Sequence, residues 1–263
     1  MYAFAYEKPA SVADVLARIA AGGQALAGGQ TLIASMKQRL AQPETLVDLS
    51  GVAELRGIRR EGNALVIGAM TRHEDVAGSA EVQQAIPGLS RLAGNIGDRQ
   101  VRAMGTLGGS VANNDPSACY PSAVLGLGAT VITDRREIGA DDYFQGMFST
   151  ALEPGELIKA IRFPIPQKAA YAKFRQPASR FALVGVFVAQ TATGVRVAIT
   201  GCGNGVFRHA GLEAALSKSF TPEAVQGVAI DASEFSSDLH ASAEYRAHLI
   251  TVQTARAVQQ ANG

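Results

Sequence analysis

The residues from Gly105 to Pro116 read Gly-Thr-Leu-Gly-Gly-Ser-Val-Ala-Asn-Asn-Asp-Pro, a polar and glycine-rich stretch inside an otherwise apolar chain. Gly105, Gly108 and Gly109 remove the side chains that would hold a ligand away from the backbone. Positive φ angles at these glycines would turn successive N–H groups inward. Thr106, Ser110, Asn113 and Asn114 can meet hydroxyls and ring heteroatoms, because each carries donor and acceptor on a short stem. Such a surface suits a phosphate or the polar edge of a ring. A glycine pair by itself more often marks a turn.

A second glycine pair lies upstream in Leu26-Ala27-Gly28-Gly29-Gln30-Thr31-Leu32, between the short apolar run Ala25 to Ala27 and a helix-like run from Leu32 to Leu40. Strand, glycine turn and helix follow in that order. N–H groups left free at a helix start carry partial positive charge, so a diphosphate can sit there without lysine or arginine. Neither stretch matches Gly-x-Gly-x-x-Gly or Gly-Lys-Ser/Thr.

Taken together, Ala-Gly-Gly-Gln-Thr and Thr-Leu-Gly-Gly-Ser at this separation resemble the two FAD-binding motifs of the flavin (medium) subunit of molybdenum hydroxylases, the carbon monoxide dehydrogenase and xanthine dehydrogenase family. The likeness runs nearly end to end, through Val66-Ile67-Gly68-Ala69-Met70-Thr71, Gln100-Val101-Arg102, Asn114-Asp115-Pro116, Glu153 to Ile158, Tyr171-Ala172-Lys173 and Ser242 to Arg246. It implies an α+β chain: a two-lobed FAD-binding domain of the vanillyl-alcohol oxidase type, then a C-terminal α+β domain with a small antiparallel sheet on helices. The expected units are 1–54, 55–166 and 167–263, with FAD in the cleft between the first two.

The resemblance also implies roles. Ala27, Gly28, Gly29, Gln30 and Thr31 would surround the diphosphate, with Leu26 and Leu32 counted among the cofactor-binding residues on either side, and Thr106, Gly108, Gly109, Ser110 and Asn113 would line the ribityl and ring side. Ile158 and Lys173 correspond to positions near the flavin, with a core isoleucine and a surface charge as the plain alternatives. Phe181 stands where the family carries a tyrosine close to the isoalloxazine; otherwise it is a core residue opening a strand. Cys119 occupies a position that is usually acidic and touches the cofactor, and a thiol accepts hydrogen bonds more weakly.

The implied function is electron transfer. The FAD on this chain would take electrons from [2Fe–2S] clusters on a small iron–sulfur subunit and pass them to an external acceptor (quinone, oxygen or NAD). Substrate would be oxidised at a molybdenum cofactor on a large subunit, in a dimer of heterotrimers. Two other readings stay open: an assembly subunit with impaired electron transfer, motivated by Cys119, and a stand-alone flavin oxidase with its own general base.

The bulk properties agree. A chain of 263 residues can bury a sizeable core and suggests more than one domain. A net charge of +1 with scattered basic residues argues against nucleic acid as a partner. Met1-Tyr2-Ala3-Phe4 lacks the pattern of an export signal, and no run approaches the roughly eighteen apolar residues of a membrane span. The expected location is the cytoplasm, with a peripheral place at the inner membrane allowed. Cys119 and Cys202 read as reduced thiols without metal spacing. A cluster needing about four cysteines must sit on another chain.

The elements that position these motifs are legible in outline. Ser11 caps a helix with Val12, Val15, Leu16 and Ile19 on one stripe, and Leu46 to Leu49 has strand composition. Asn63 to Ala69 reads as a strand, Thr71 to Val76 has capping-box spacing with Glu74, and Ser79 to Ile86 reads as a helix stopped by Pro87-Gly88. Pro121 to Gly128 is mostly apolar, and Thr130 to Thr133 is strand-like. After the Pro164-Ile165-Pro166 boundary, Leu183 to Gln190 and Val195 to Gly201 predict a hairpin turning at Gly194. Ala210 to Leu216 and Ala241 to Gln260 predict helices, the latter with Tyr245, Leu249, Val252 and Ala255 facing the sheet. Gly201 to Gly205 reads as a turn and Asp141-Asp142 as a solvated helix start or turn. His73, His209, His240 and His248 are dispersed, as surface or helix-packing residues.

Overall fold

The structure, a computed structural model, describes residues 1–263. Its first lobe is a three-stranded parallel sheet, in the order β1 (Ala5–Glu7), β3 (Thr45–Asp48), β2 (Gln24–Leu26). Between β1 and β2 runs α1 (Val12–Ala20), whose first free N–H groups are met by Ser11: its hydroxyl accepts from the Asp14 N–H at 3.1 Å. Between β2 and β3 runs α2 (Leu32–Lys37), shorter than its apolar pattern suggests because Arg39 turns left-handed at φ 62°. Val15, Val47, Leu49 and Val52 form the core of this lobe with Leu55, Met70 and Leu157, which come from the next one.

The second lobe is an antiparallel five-stranded sheet ordered β4 (Ile58–Glu61), β5 (Ala64–Gly68), β10 (Ile158–Pro164), β6 (Thr130–Thr133), β7 (Glu137–Gly139). Between β5 and β6 the chain makes six helices: α3 (His73–Gly78), α4 (Ala80–Ala85), α5 (Pro87–Gly94), α6 (Arg99–Met104), α7 (Leu107–Asn113) and α8 (Tyr120–Gly126). α4 ends at Ala85, ahead of Pro87 as expected, and Pro87 also opens α5, at a first-turn position where its missing N–H costs nothing. The capping carboxylate of α3 is displaced from expectation, since Asp75 rather than Glu74 accepts from the Arg72 N–H. After β7 come α9 (Ala140–Tyr143) and a small hairpin, β8 (Phe144–Gly146) and β9 (Ser149–Thr150). Asp141 at the start of α9 is paired with Arg196 at 2.6 Å and Arg208 at 3.3 Å rather than merely solvated.

The C-terminal sheet is antiparallel in the order β11 (Lys168–Arg175), β12 (Ala182–Thr191), β13 (Gly194–Thr200), β14 (Phe207–Arg208). Gly194, at φ 128°, makes the β12–β13 turn. One face of this sheet packs on α10 (Ala210–Lys218) and the long α11 (Ala243–Asn262), forming a core around Val184, Val186, Val197, Leu249 and Val258. The other face gives Tyr171, Phe187, Ala189 and Ala198 to the large core of the second lobe. The interface is tight at Gly126 of α8, where a Cβ would lie 3.0 Å from the Phe187 ring.

The buried stripe of α11 is shifted by one position from expectation. It holds Arg246, Leu249, Ile250, Gln253, Thr254, Ala257 and Val258, whereas Tyr245 is 43% exposed. No helix is long and apolar enough to cross a membrane.

Candidate functional site

From β2 the chain turns through Ala27 to Thr31 into α2, with Gly29 at φ 70° where a side chain would be strained. The backbone N–H groups from Ala27 to Leu32 donate to no backbone acceptor, and Thr31 gives α2 no side-chain cap. A run of unpaired donors at the protein surface is what an anion-binding nest consists of.

The second motif takes a different form from the one its glycines suggest. None of Gly105, Gly108 and Gly109 has positive φ, and Leu107 to Asn113 is helix α7, capped by Thr106, whose hydroxyl accepts from the Gly109 N–H at 3.2 Å. These glycines serve close approach instead. A Cβ at Gly105 would lie 2.6 Å from His73 Nε2, and one at Gly108 would lie 2.5 Å from the Ala69 Cβ. The start of the helix is tied to the end of β5 by Gly108 N–H donating to the Ala69 carbonyl at 2.8 Å, Leu107 N–H to Thr71 at 3.0 Å, and His73 N–H to Gly105 at 2.9 Å. Asn114 is not a ligand-facing residue. It is 1% exposed in the left-handed conformation, and its amide donates to the carbonyls of Gly146 and Ser149, both at 2.8 Å.

The two motifs meet. A Cβ on Gly28 would lie 2.2 Å from the Met104 carbonyl oxygen and 2.7 Å from the Gly105 Cα; one on Gly109 would lie 3.2 Å from the Ala27 Cβ. Gly109, Ser110 and Asn113 share the half-exposed face of α7, and Gly109 sets that face beside the unpaired N–H run. The result is a seam between the first and second lobes, donors on one wall and small polar side chains on the other.

Behind the seam is a buried polar column. His73, 5% exposed, packs on Gly105 on one side and on the Tyr120 ring at 5.2 Å on the other, with its Nδ1 unpaired. Burial, aided by the nearby Arg102 charge, pushes its pKa down from an ordinary 6.5 to about 4. The unfolded chain therefore takes up a proton below pH 6.5 that the folded chain resists until about 4. Stability is expected to hold above that window and to fall across it, by up to about 3 kcal/mol. Urea unfolding at pH 7, 5.5 and 4 measures this, and a His73→Leu variant should show a flatter profile.

Next to Tyr120 is Cys119, 6% exposed, whose thiol receives a contact from Lys173 Nζ at 3.5 Å. Lys173 also donates to the carbonyls of Asn95 at 2.6 Å and Arg180 at 3.0 Å. It thereby joins β11, the end of α5 and the loop before Phe181. Lys173 is thus neither buried in the core nor a free surface charge. Phe181 is 58% exposed rather than a core residue. Ile158 goes the other way: it is 4% exposed within the large core at a β-bulge in the β10–β6 pair, apart from the polar column.

Residues 2–166 match the family described as FAD binding domain in molybdopterin dehydrogenase, and residues 169–261 match the CO dehydrogenase flavoprotein C-terminal domain. The chain belongs to the FAD-binding medium subunits of the molybdenum hydroxylases. It is 37% identical to the carbon monoxide dehydrogenase medium chain of Afipia carboxidovorans and 35% identical to that of Hydrogenophaga pseudoflava; each comparison covers 98% of this chain and 96% of the relative. The structure of reconstituted CO dehydrogenase from Oligotropha carboxidovorans contains a chain that superposes with a TM-score of 0.92 at 34% identity, over 99% of this chain and 98% of that one. The protein is accordingly the FAD-binding part of an oxidoreductase of the CO dehydrogenase type.

For a medium subunit of this kind, sequence reasoning found both walls of the seam but missed its hinge partners. Met104 acts through its carbonyl and Ala69 through its backbone and methyl, which no residue type announces, and the Thr71 hydroxyl is taken up by the Gly57 backbone. His73 was visible only as one of several scattered histidines, and its place under Gly105 depends on the bridge between Arg72 and Thr106.

Proposed function

We propose that the seam between lobes 1–54 and 55–166 holds FAD. Ala27 to Leu32 meet the diphosphate through their unpaired N–H groups, with Leu26 as the buried base of the turn. Gly109, Ser110 and Asn113 line the ribityl and ring side, and Thr106 and Gly108 shape that wall from behind by capping and close packing. Cys119, Lys173 and Phe181 flank the flavin end; Ile158 supports the sheet beneath. Bound FAD supplies the exchange of electrons singly or in pairs. What this chain supplies is binding, orientation and control of solvent access.

In this reading the chain accepts electrons from [2Fe–2S] clusters of a small subunit and delivers them to an external acceptor, while a large subunit with the molybdenum cofactor oxidises the substrate. The printed names of the relatives, medium chains of carbon monoxide dehydrogenases, support a place among other subunits. The dimer of heterotrimers belongs to the same proposal. The observation that carries it is the contact of Gly28 with Met104 and Gly105, which sets unpaired donors opposite the polar face of α7. The test is purification of the native protein. Yellow FAD-bearing chain in association with iron–sulfur and molybdenum subunits is the expected result, and a colourless chain that never co-purifies with them would contradict it.

Cys119 favours a second reading, an assembly subunit with impaired electron transfer, because Lys173 faces a thiol where the family places a carboxylate. Complete reduction of the flavin by substrate in the assembled complex would eliminate that reading. Cys119→Asp places a carboxylate beside the Lys173 ammonium and adds an acceptor at the flavin end. It is expected to retain FAD about tenfold more tightly, roughly 1.4 kcal/mol, and to shift the flavin potential. Equal affinity and potential in the two proteins would show that residue 119 does not face the cofactor.

A further inference from the structure

A cavity of about 210 Å³, which shares Lys173 with the flavin end of the proposed FAD site but none of the glycine-motif residues, opens between α5, β11 and α11. Its charged lining is entirely basic: Arg91 from α5, Lys173 and Arg175 from β11, and Arg256 from α11, with no carboxylate among the residues that wall it. Elsewhere the arginines divide between those held by acids, as Arg162 is by Glu137, Arg208 by Glu213 and Arg246 by Asp238, and exposed ones such as Arg39, Arg60 and Arg99, each on its own stretch of surface. Arg91, Arg175 and Arg256 take part in no ion pair at all. Like charges from separate elements gathered around one hollow oppose folding unless an anion joins them.

A second observation points the same way. Gln253, on the buried stripe of α11, is 1% exposed and lines the cavity, yet its amide nitrogen has no hydrogen-bond partner. A buried amide donor without an acceptor costs about 1–3 kcal/mol, so a polar residue in that stripe calls for a partner that the protein itself does not provide.

We propose that this cavity is an oxyanion site for a phosphoryl group, with Arg91, Arg175 and Arg256 as the charged donors and Gln253 as the neutral one. A single carboxylate is satisfied by one guanidinium fork. Three exposed arginines drawn from three elements to the wall of one hollow suit a tetrahedral dianion that has oxygens on every side. The space far exceeds the roughly 10–15 Å³ that admits one water on the same measure, and it has room for a phosphoryl group. The Lys173 ammonium is already committed to the Asn95 and Arg180 carbonyls, so it forms the inner end of the cavity rather than its principal ligand.

Isothermal titration of the full chain with inorganic phosphate, and separately with ribose 5-phosphate, tests the site. Saturable binding of one phosphoryl group per chain is expected, weakened about tenfold or more in Arg256→Gln and in Arg175→Gln, and only partly restored by Arg256→Lys, which keeps the charge but loses the fork. Circular dichroism melting shows whether each variant is folded, and Gln253→Leu provides a variant that removes a donor without altering charge. Tighter binding of ribose 5-phosphate identifies a phosphate ester as the natural class; equal affinity identifies free phosphate. No saturable binding of either, or binding unchanged in the arginine variants, overturns the proposal. Phosphate displaced by FAD would also overturn it, by placing the anion in the glycine seam. The seam's own assignment to FAD stands or falls separately, since the arginine variants leave Ala27 to Leu32 untouched.

Discussion

Gly28→Ala is expected to yield a folded chain that has lost most of its FAD, with affinity reduced at least about tenfold. The added Cβ would lie 2.2 Å from the Met104 carbonyl oxygen and 2.7 Å from the Gly105 Cα, and both neighbours are backbone atoms that cannot rotate away. Something must shift, and overpacking of this kind costs about 1–3 kcal/mol. In the bend from Ala27 to Thr31 no N–H is bonded to the backbone, and only the Gly29 and Thr31 carbonyls are held from outside it, by Ile33 and Ser35 of α2, so the bend moves away from α7 and the seam widens. The flavin-to-protein ratio after gel filtration, with melting of the FAD-free chain as a check on folding, measures the effect. Gly78→Ala is the control, because nothing lies within 4 Å of a Cβ there and its φ is not left-handed. It should behave as the unaltered protein. Undiminished FAD in Gly28→Ala would mean that the two walls do not need to touch.

The other large effect is one of stability. Arg246 of α11 is 3% exposed and sends one nitrogen to the carbonyls of Leu183 at 3.0 Å and Gly201 at 2.7 Å, and another to Asp238 at 2.8 Å. It thus ties the helix to the start of β12 and the end of β13, where the carbonyls of a closing hairpin would otherwise lack partners. Arg246→Met keeps the volume and discards every one of these bonds. With charge-assisted bonds at about 1.5–3 kcal/mol and unsatisfied carbonyls left behind, a loss of roughly 3 kcal/mol is expected. In a chain of this size that lowers the melting temperature by about 6–12 °C. Differential scanning calorimetry of the two proteins checks it, and a change below about 1 °C would mean that α11 is held by its apolar contacts alone.

These cases show what the sequence makes legible. Local signals were accurate where the partner lay within a turn: Ser11 before α1, and Gly194 between β12 and β13. The α+β architecture and the antiparallel C-terminal sheet followed from such signals together with the family resemblance. Signals with two physical meanings showed only one of them. Pro87 ends α4 as expected and begins α5 as well, and that second role depends on α5 packing beneath α3 and against β11. Gly105, Gly108 and Gly109 can serve left-handed turns or close contact, and here contact with His73, Ala69 and Ala27 decides.

Long-range effects were hidden altogether. The stripe of α11 slipped by one residue because it buries Arg246 and Gln253, polar side chains that an apolar pattern assigns to solvent. The edge strand β4 carries Ile-Arg-Arg-Glu, a charged sequence that protects a sheet edge and conceals a strand from any hydrophobic pattern. Of the candidate site, both glycine motifs were identifiable by type and spacing, and Lys173 only through the family resemblance. That Lys173 faces Cys119 and that Ile158 enters the core depend on the register of β10 and β11, which only the folded sheets reveal.

The most direct measurement is a crystal structure of the protein with FAD bound. The expected result is a diphosphate within hydrogen-bonding distance of the N–H groups between Ala27 and Leu32, with the ribityl chain passing Ser110 and Asn113 and the ring ending near Cys119. FAD bound elsewhere, with water alone between the Gly28 bend and α7, would contradict it.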